Sequence, residues 1–477
     1  MLRLPDILWI SLLILLMGCQ PGQTPNGDMV TPDSCPLGVR PYAIRGSIDL
    51  PQVSQIPHSD NPDSLIVYLQ RRADHYAWET FIAMNWPALP DGSPDSLHCL
   101  GNGEATTVWE HWIPGPHIYR PNGEEPLPWP DSVDKNGVPV HLRDPHLLHY
   151  SGKDPDFTRV DADDIPLIDQ DSILTQYQIT YNRVAYDYIR SSGLYSEAGQ
   201  QNFVKNYPDF TKGLYMVIKG DTANIERTFE RAYFPVGNVK DSIQTNKTRD
   251  TVFYFEKGEG AIIIKSAWKR LAASDDASTF HTRELTLENG TMVKIGLVGL
   301  HFMHKIAEAT QWGWATFEHI NNVPELDSNG MAILDHEVDY TYFNELEPDS
   351  ARYNTPSPYN LITHLYEKIP IQVVRSRPIY ASALKTNQLF HERIRKADPN
   401  SVWLNYQLVG AQWPLVTDFF THGADYQPAK LGNPVMETYF QNTASCMDCH
   451  KSARFYPYGR DSTAFNSDFI FSLSRAR

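Results

Sequence analysis

Late in the chain the sequence reads Cys446-Met447-Asp448-Cys449-His450, two thiols separated by two residues with an imidazole directly after the second. This spacing is the C-x-x-C-H pattern of covalent haem attachment. Each side chain has a task there: the thiols add across the two vinyl groups of the porphyrin, and the neighbouring imidazole takes the proximal position on the iron. Three other uses of such a pair explain less. A thioredoxin-like redox pair needs a βαβ unit around it, and this one comes too late in the chain for that. A zinc site wants a second pair of ligands at short spacing, and no cysteine follows Cys449. A disulfide across two residues leaves His450 without a purpose. The sequence therefore predicts one covalent haem c on Cys446 and Cys449, with His450 as the proximal iron ligand.

No His or Met follows His450, so a second axial ligand must come from upstream, or the iron is five-coordinate. Met447 lies inside the motif and cannot reach round to the other face. The remaining candidates are Met436, His422, His391, His319, His304, Met303 and His301. His301 and His304 rank first because Gly299-Leu300-His301-Phe302-Met303-His304-Lys305 is so apolar a segment; Met436 ranks second. If that segment is a strand, the spacing of His301 and His304 sends their rings to opposite faces; if it turns helical they share one. The competing reading for either is a hydrogen-bonded core histidine.

The other three cysteines are Cys19, Cys35 and Cys99. Residues 1–18 carry one basic side chain, Arg3, and then an apolar stretch from Ile7 to Met17. That stretch is too short to cross roughly 30 Å of hydrocarbon as a helix, and its layout is that of an export signal. Leu16-Met17-Gly18-Cys19 resembles the lipobox of bacterial lipoproteins, which implies cleavage before Cys19 and a lipid on its thiol. The resemblance places the chain in the cell envelope, lipid-anchored, periplasm-facing or on the outer-membrane surface, with the membrane as a partner through that anchor. An exported location permits disulfides; Cys35 and Cys99 are the candidate pair, and two free thiols the alternative.

Composition narrows the field further. The 477 residues include 41 basic and 57 acidic side chains, a net charge of −16, so a phosphate-neutralising grip on nucleic acid is disfavoured. Eleven Trp and 25 Tyr suit either a well-packed core or the walls of a flat cofactor site.

Several elements must position these residues. Asn61-Pro62-Asp63 opens a helix whose apolar positions keep a helical period to Met84, where Trp86-Pro87 ends it. Residues 90–175, rich in Pro, Gly and Asp, read as long loops. A second helix is expected over 176–191. Thr251–Phe255 and Ala261–Trp268 read as a hairpin about Glu256-Lys257-Gly258-Glu259-Gly260. Val293, Ile295, Leu297 and Gly299 alternate with Lys294 and Gly296 as a strand running into His301, and Trp312 to Phe317 alternates as its partner. Residues 386–397 read as a helix stopped before Pro399.

The expected fold class is α+β: a β-rich central body with flanking helices and long loops, ending in a small helical haem-c segment. The expected divisions are a signal at 1–18, a tether at 19–60, a large body at 61–430 and the haem segment at 431–477.

Lys265-Ser266-Ala267-Trp268, Gly296-Leu297-Val298-Gly299-Leu300-His301, Gln311 to Glu318 with Asn322-Val323-Pro324, and Ser445 to His450 resemble a group of large exported bacterial proteins of the cytochrome c family. The resemblance spans about residues 60 to 460. It implies one covalent haem on Cys446 and Cys449 with His450 proximal, and no particular substrate. The first function to expect is envelope electron transfer, with a redox partner protein or a small-molecule electron donor or acceptor. The alternative is a haem-dependent oxidoreductase, peroxidase-like or oxidising a small molecule, whose pocket is formed by the upstream body. A third is a haem-bearing binding module in which Trp312 and Trp314 touch a ligand.

Overall fold

The computed structural model describes residues 44, 62–95, 98, 100, 104–130, 133–135, 137–148, 165–206, 214–218, 221–223, 232–237, 243–245, 251–255, 258–287, 289–306, 309–346, 349–362, 365–414 and 426–476. The signal at 1–18, Cys19, Cys35 and Cys99 lie outside them.

Helix α1 (Pro62–Met84) has the bounds its sequence demands, with Pro62 in the first turn and Trp86-Pro87 beyond its end. The main sheet is antiparallel. Its strands are β1 (Ile113–Pro114), β2 (Gln176–Tyr181), β3 (Ile262–Arg270), β4 (Thr282–Thr286), β5 (Met292–Ile306), β6 (Ala309–His319), β7 (Tyr406–Pro414) and β8 (Tyr426–Gln427). They lie in the order β1-β2-β3-β5-β6-β7-β8, with β4 paired to the first part of β5. The expected pairing of the strand through His301 with Trp312 to Phe317 is present: Met303 lies opposite Trp314 and His301 opposite Thr316.

Two expectations are corrected. Residues 176–191 are not one helix but β2 followed by helix α2 (Arg183–Ser191). Tyr177, Ile179 and Tyr181 alternate as a strand, and Asn182 then caps α2 by accepting the Ala185 N–H at 3.0 Å. Thr251–Phe255 does not form a hairpin with β3. It runs parallel to Leu214–Ile218 in a separate four-stranded sheet, while β3 pairs with β2 and β5.

Period-two alternation gives the main sheet two buried faces. One face packs on α1 and on helix α3 (Ala381–Ala397), which starts a turn earlier than its periodicity predicts. Ile262, Ile264, Leu300, Phe302, Ile306 and Phe317 meet Trp78, Phe81 and Phe390 there; the Phe81 and Phe317 rings stack 4.1 Å apart. The helices also serve the outer backbone of β7. Asn387 accepts the Leu408 N–H at 2.9 Å and donates to its carbonyl at 3.0 Å, and Gln70 donates to the Ala411 carbonyl at 2.7 Å. A strand edge that would otherwise carry unpaired polar groups is thereby closed. Residues 431–476 cover the opposite face. The protein is thus a mixed, β-rich α+β structure, with α1 and α3 on one face of its principal sheet and α2 on the other.

Among the described residues no helix is long and apolar enough to cross a membrane.

Candidate haem-binding cavity

On the face turned away from α1, the strand registers build two parallel rows. Tyr181, Ile263, Met303 and Trp314 lie side by side across β2, β3, β5 and β6, and the next row holds Ile179, Lys265, His301 and Thr316. The first row is apolar and aromatic; the second carries polar groups. The segment from Leu431 to Arg475 arches over both rows and leaves a cavity of about 980 Å³, including its solvent-open mouth.

The C-x-x-C-H motif is helix α4 (Cys446–His450), and it lies on this cavity. Ser445 caps it, its hydroxyl accepting the Asp448 N–H at 3.3 Å. Gln412 of β7 fastens the helix to the sheet. Its buried amide accepts the Met447 N–H at 2.8 Å and donates to Ser445 Oγ at 3.0 Å and to the Pro428 carbonyl at 2.7 Å. Cys446, Cys449 and His450 all line the cavity. Cys446 is half-buried and Cys449 exposed. Burial, reinforced by Glu437 and Cys449, pushes the Cys446 thiol well above the ordinary cysteine range. It is therefore a neutral thiol rather than a ready thiolate.

His450 is held firmly. Its Nδ1 lies 2.7 Å from the Phe469 carbonyl. A carbonyl can only accept, so Nδ1 carries the hydrogen and Nε2 keeps the ring's lone pair. Metal-bound histidines are oriented this way, with the second ring N–H on a backbone carbonyl. Trp314 and Phe471 flank the imidazole, with ring centroids 4.6 and 5.0 Å away.

The carbonyl sits in an unusual turn. Asp468 and Phe469 have φ of 54° and 70°, a left-handed conformation that costs of order 1–3 kcal/mol per residue outside glycine. Buried contacts hold it. Lys305, at the end of β5, places Nζ 2.7 and 2.6 Å from the two Asp468 carboxylate oxygens, and both side chains are at most 1% exposed. Asp468 also accepts the Phe234 N–H at 2.8 Å, and its carbonyl accepts the Trp312 indole N–H at 2.9 Å.

The residues present fit a covalently held haem: two thiols and a tautomerically fixed imidazole on one aromatic cavity, with Lys265 and Arg475 in its lining as cations for the porphyrin carboxylates. Among the described residues no group of three or more His, Cys, Asp or Glu is placed to hold a bare metal ion. A haem brings four nitrogen ligands of its own and asks the protein for one or two.

Of the upstream candidates, the structure brings His301 and Met303 to the cavity. His301 Nε2 lies 3.6 Å from a Glu437 carboxylate oxygen. His304 is not brought there. The segment remains a strand, so His304 faces α1, where Tyr76 donates its hydroxyl to Nδ1 at 2.8 Å and Nε2–H donates to the Glu259 carbonyl at 2.5 Å. Both ring nitrogens are engaged, and burial lowers its pKa to about 4. Met436 also stays away from the cavity: it packs beside Val435 and Tyr439 against Gly299. His319 bonds to Thr279 and Asn321, His391 to Tyr406, and His422 lies outside the described residues.

Sequence reasoning missed Gln412, Glu437, Lys305, Asp468 and Phe469. Lys305 alone left a sign, as a lone cation at the end of an apolar run; the others join the site through long-range contacts. No family model, curated protein or solved structure matches this chain.

Proposed function

We propose that this chain is an exported monohaem c-type cytochrome that passes single electrons in the cell envelope. The observation that carries the reading is the C-x-x-C-H helix on an aromatic cavity, with His450 Nδ1–H fixed on the Phe469 carbonyl at 2.7 Å. A bound haem supplies the one-electron Fe(III)/Fe(II) couple. The chain's own residues do the rest. Cys446 and Cys449 would hold the porphyrin covalently, and His450, its Nδ1–H on the Phe469 carbonyl, would offer Nε2 to the iron. Trp314, Phe440, Phe469 and Phe471 exclude water from the site, and Lys265 with Arg475 faces the carboxylates. His301, on the polar row beside Glu437, would be the second side chain of this chain to hold the iron.

Absorption spectra of the ferric and ferrous protein, taken with and without carbon monoxide, test this reading. The wild type is expected to be low-spin and indifferent to carbon monoxide, His301→Ala to become high-spin and to bind it, and Met303→Leu to behave as wild type. A wild type that binds carbon monoxide readily removes the simple carrier. It would favour the second reading, a haem-dependent oxidoreductase, for which the His301–Glu437 pair on the cavity speaks.

The envelope location follows from the lipobox resemblance and places the lipid on Cys19. Metabolic labelling with a radioactive fatty acid is expected to mark the wild type and to leave Cys19→Ala unmarked. Equal labelling of both removes the tether.

A further inference from the structure

Lys305 and Asp468 form an ion pair shut away from water at 2.6–2.7 Å, more than 160 residues apart in sequence. Such a pair gives up hydration that its mutual attraction only roughly repays, so stability alone is a weak reason for it. Its location offers a better one. Asp468 immediately precedes Phe469, whose carbonyl accepts the His450 Nδ1–H, and both residues hold positive φ. Lys305 Nζ also sits over the Tyr233 and Trp312 rings, at 4.1 and 5.3 Å from their centroids. Trp312 in turn donates its indole N–H to the Asp468 carbonyl. The last residues of β5 thus clamp the one turn that orients the imidazole.

We propose that Lys305 and Asp468 are positioning residues for His450. By holding the 468–469 turn against its own strain, they keep the Phe469 carbonyl on Nδ1–H and so set how strongly the imidazole donates to iron. The inference rests on the haem reading above. A strong Nδ1–H bond to a carbonyl makes the ring a better donor and favours Fe(III). Loosening the clamp therefore weakens the proximal bond and raises the midpoint potential. Loss of such an outer partner typically weakens metal ligation by about ten- to a hundred-fold.

The test uses the full-length holoprotein, with two readouts that a purely structural role does not move. These are the iron–histidine stretching band in resonance Raman spectra of the ferrous protein, taken in a His301→Ala background where the iron is expected to be high-spin and five-coordinate, and the midpoint potential with His301 intact. Lys305→Met is expected to keep covalent haem, lower the band frequency and raise the potential. It leaves a buried carboxylate unpaired and can fail to fold. Lys305→Met/Asp468→Leu is therefore made alongside it, since apolar replacement of both partners removes the charges without stranding one. The same two shifts are expected in the double variant. Covalent haem with an unmoved band and an unmoved potential in the double variant overturns the inference and leaves the haem reading standing. A wild type without covalent haem overturns both.

Discussion

Replacing Cys446 and Cys449 together with alanine is expected to abolish covalent haem completely. Each thioether needs one thiol, so either single variant keeps one attachment and the double variant has none. The fold gives no reason for the loss to be indirect. Helix α4 is held by the Ser445 cap and by Gln412, neither of which touches a cysteine sulfur. The double variant is therefore expected to unfold at nearly the wild-type denaturant concentration when both are compared without haem. The two thiols are inequivalent, Cys446 half-buried and neutral within the cavity and Cys449 exposed at its mouth. Mass spectrometry of the denatured protein, with haem staining after electrophoresis, reads the outcome directly. Covalent haem surviving in the double variant would falsify the central claim.

The second large effect concerns stability. Glu110→Gln is expected to destabilise the protein by about 3–5 kcal/mol at pH 7, the cost of leaving a buried partner uncompensated. That is a large part of the ~5–15 kcal/mol that holds a domain together. Glu110 is 2% exposed. Its carboxylate takes Arg283 Nε at 3.2 Å and the Thr107 N–H at 2.9 Å, and lies 3.2 Å from His281 Nε2. Arg283 is buried too, its guanidinium 4.3 Å from the Trp268 ring and bonded to Gln178 at 2.9 Å. Burial opposes ionisation of Glu110, but His281 and then Arg283 outweigh it and hold the carboxyl well below the usual range.

The sign of the pH dependence follows from that. A carboxyl whose pKa is depressed on folding stabilises the protein above its unfolded value, ~4.3, and the gain is lost as pH falls below it. Asp74 runs the other way: burial raises it to about 6, so its contribution is lost as pH rises from about 4 to about 6. Urea unfolding at pH 7 and at pH 4 separates the two. The difference in stability between wild type and Glu110→Gln is expected to shrink at the lower pH, and a difference that grows there contradicts the ionised-carboxylate account.

The motif and much of the frame were legible in the residues, for identifiable reasons. Pro62 and Pro87 bracket α1 because proline fits a first turn and cannot continue a helix. The alternation from Val293 to Gly299 and from Trp312 to Phe317 is local and strong enough to reveal both strands and their pairing. Gln176–Tyr181 reads as helical from sequence because its buried residues also satisfy a helical spacing; the strand wins through pairing with β3, six residues against six. Thr251–Phe255 does not reach β3 because both its edges are taken, by Ile243–Thr245 just upstream in antiparallel pairing and by Leu214–Ile218 in parallel. The pair His301 and His304 carried both outcomes, and only the persistence of β5 as a strand through Ile306 sends one ring to the cavity and the other to Tyr76. The Phe469 carbonyl is backbone, and no pattern of side chains could have announced it.

The two rows that wall the cavity also bear on how the molecule comes together in time. They are made by residues 179 to 316, whereas the described residues that line the cavity opposite them lie between Leu431 and Arg475. A site of such long sequence separation is among the last features to form, since loop closure precedes the contacts that reward it. While the chain is being made, Ile179, Tyr181, Ile263, Met303 and Trp314 lack the cover of that segment, and such half-built apolar surfaces are where nascent chains self-associate. The same interval keeps Cys446 and Cys449 within reach of any machinery that must act on them. Docking of the closing segment therefore ends two kinds of vulnerability in one step.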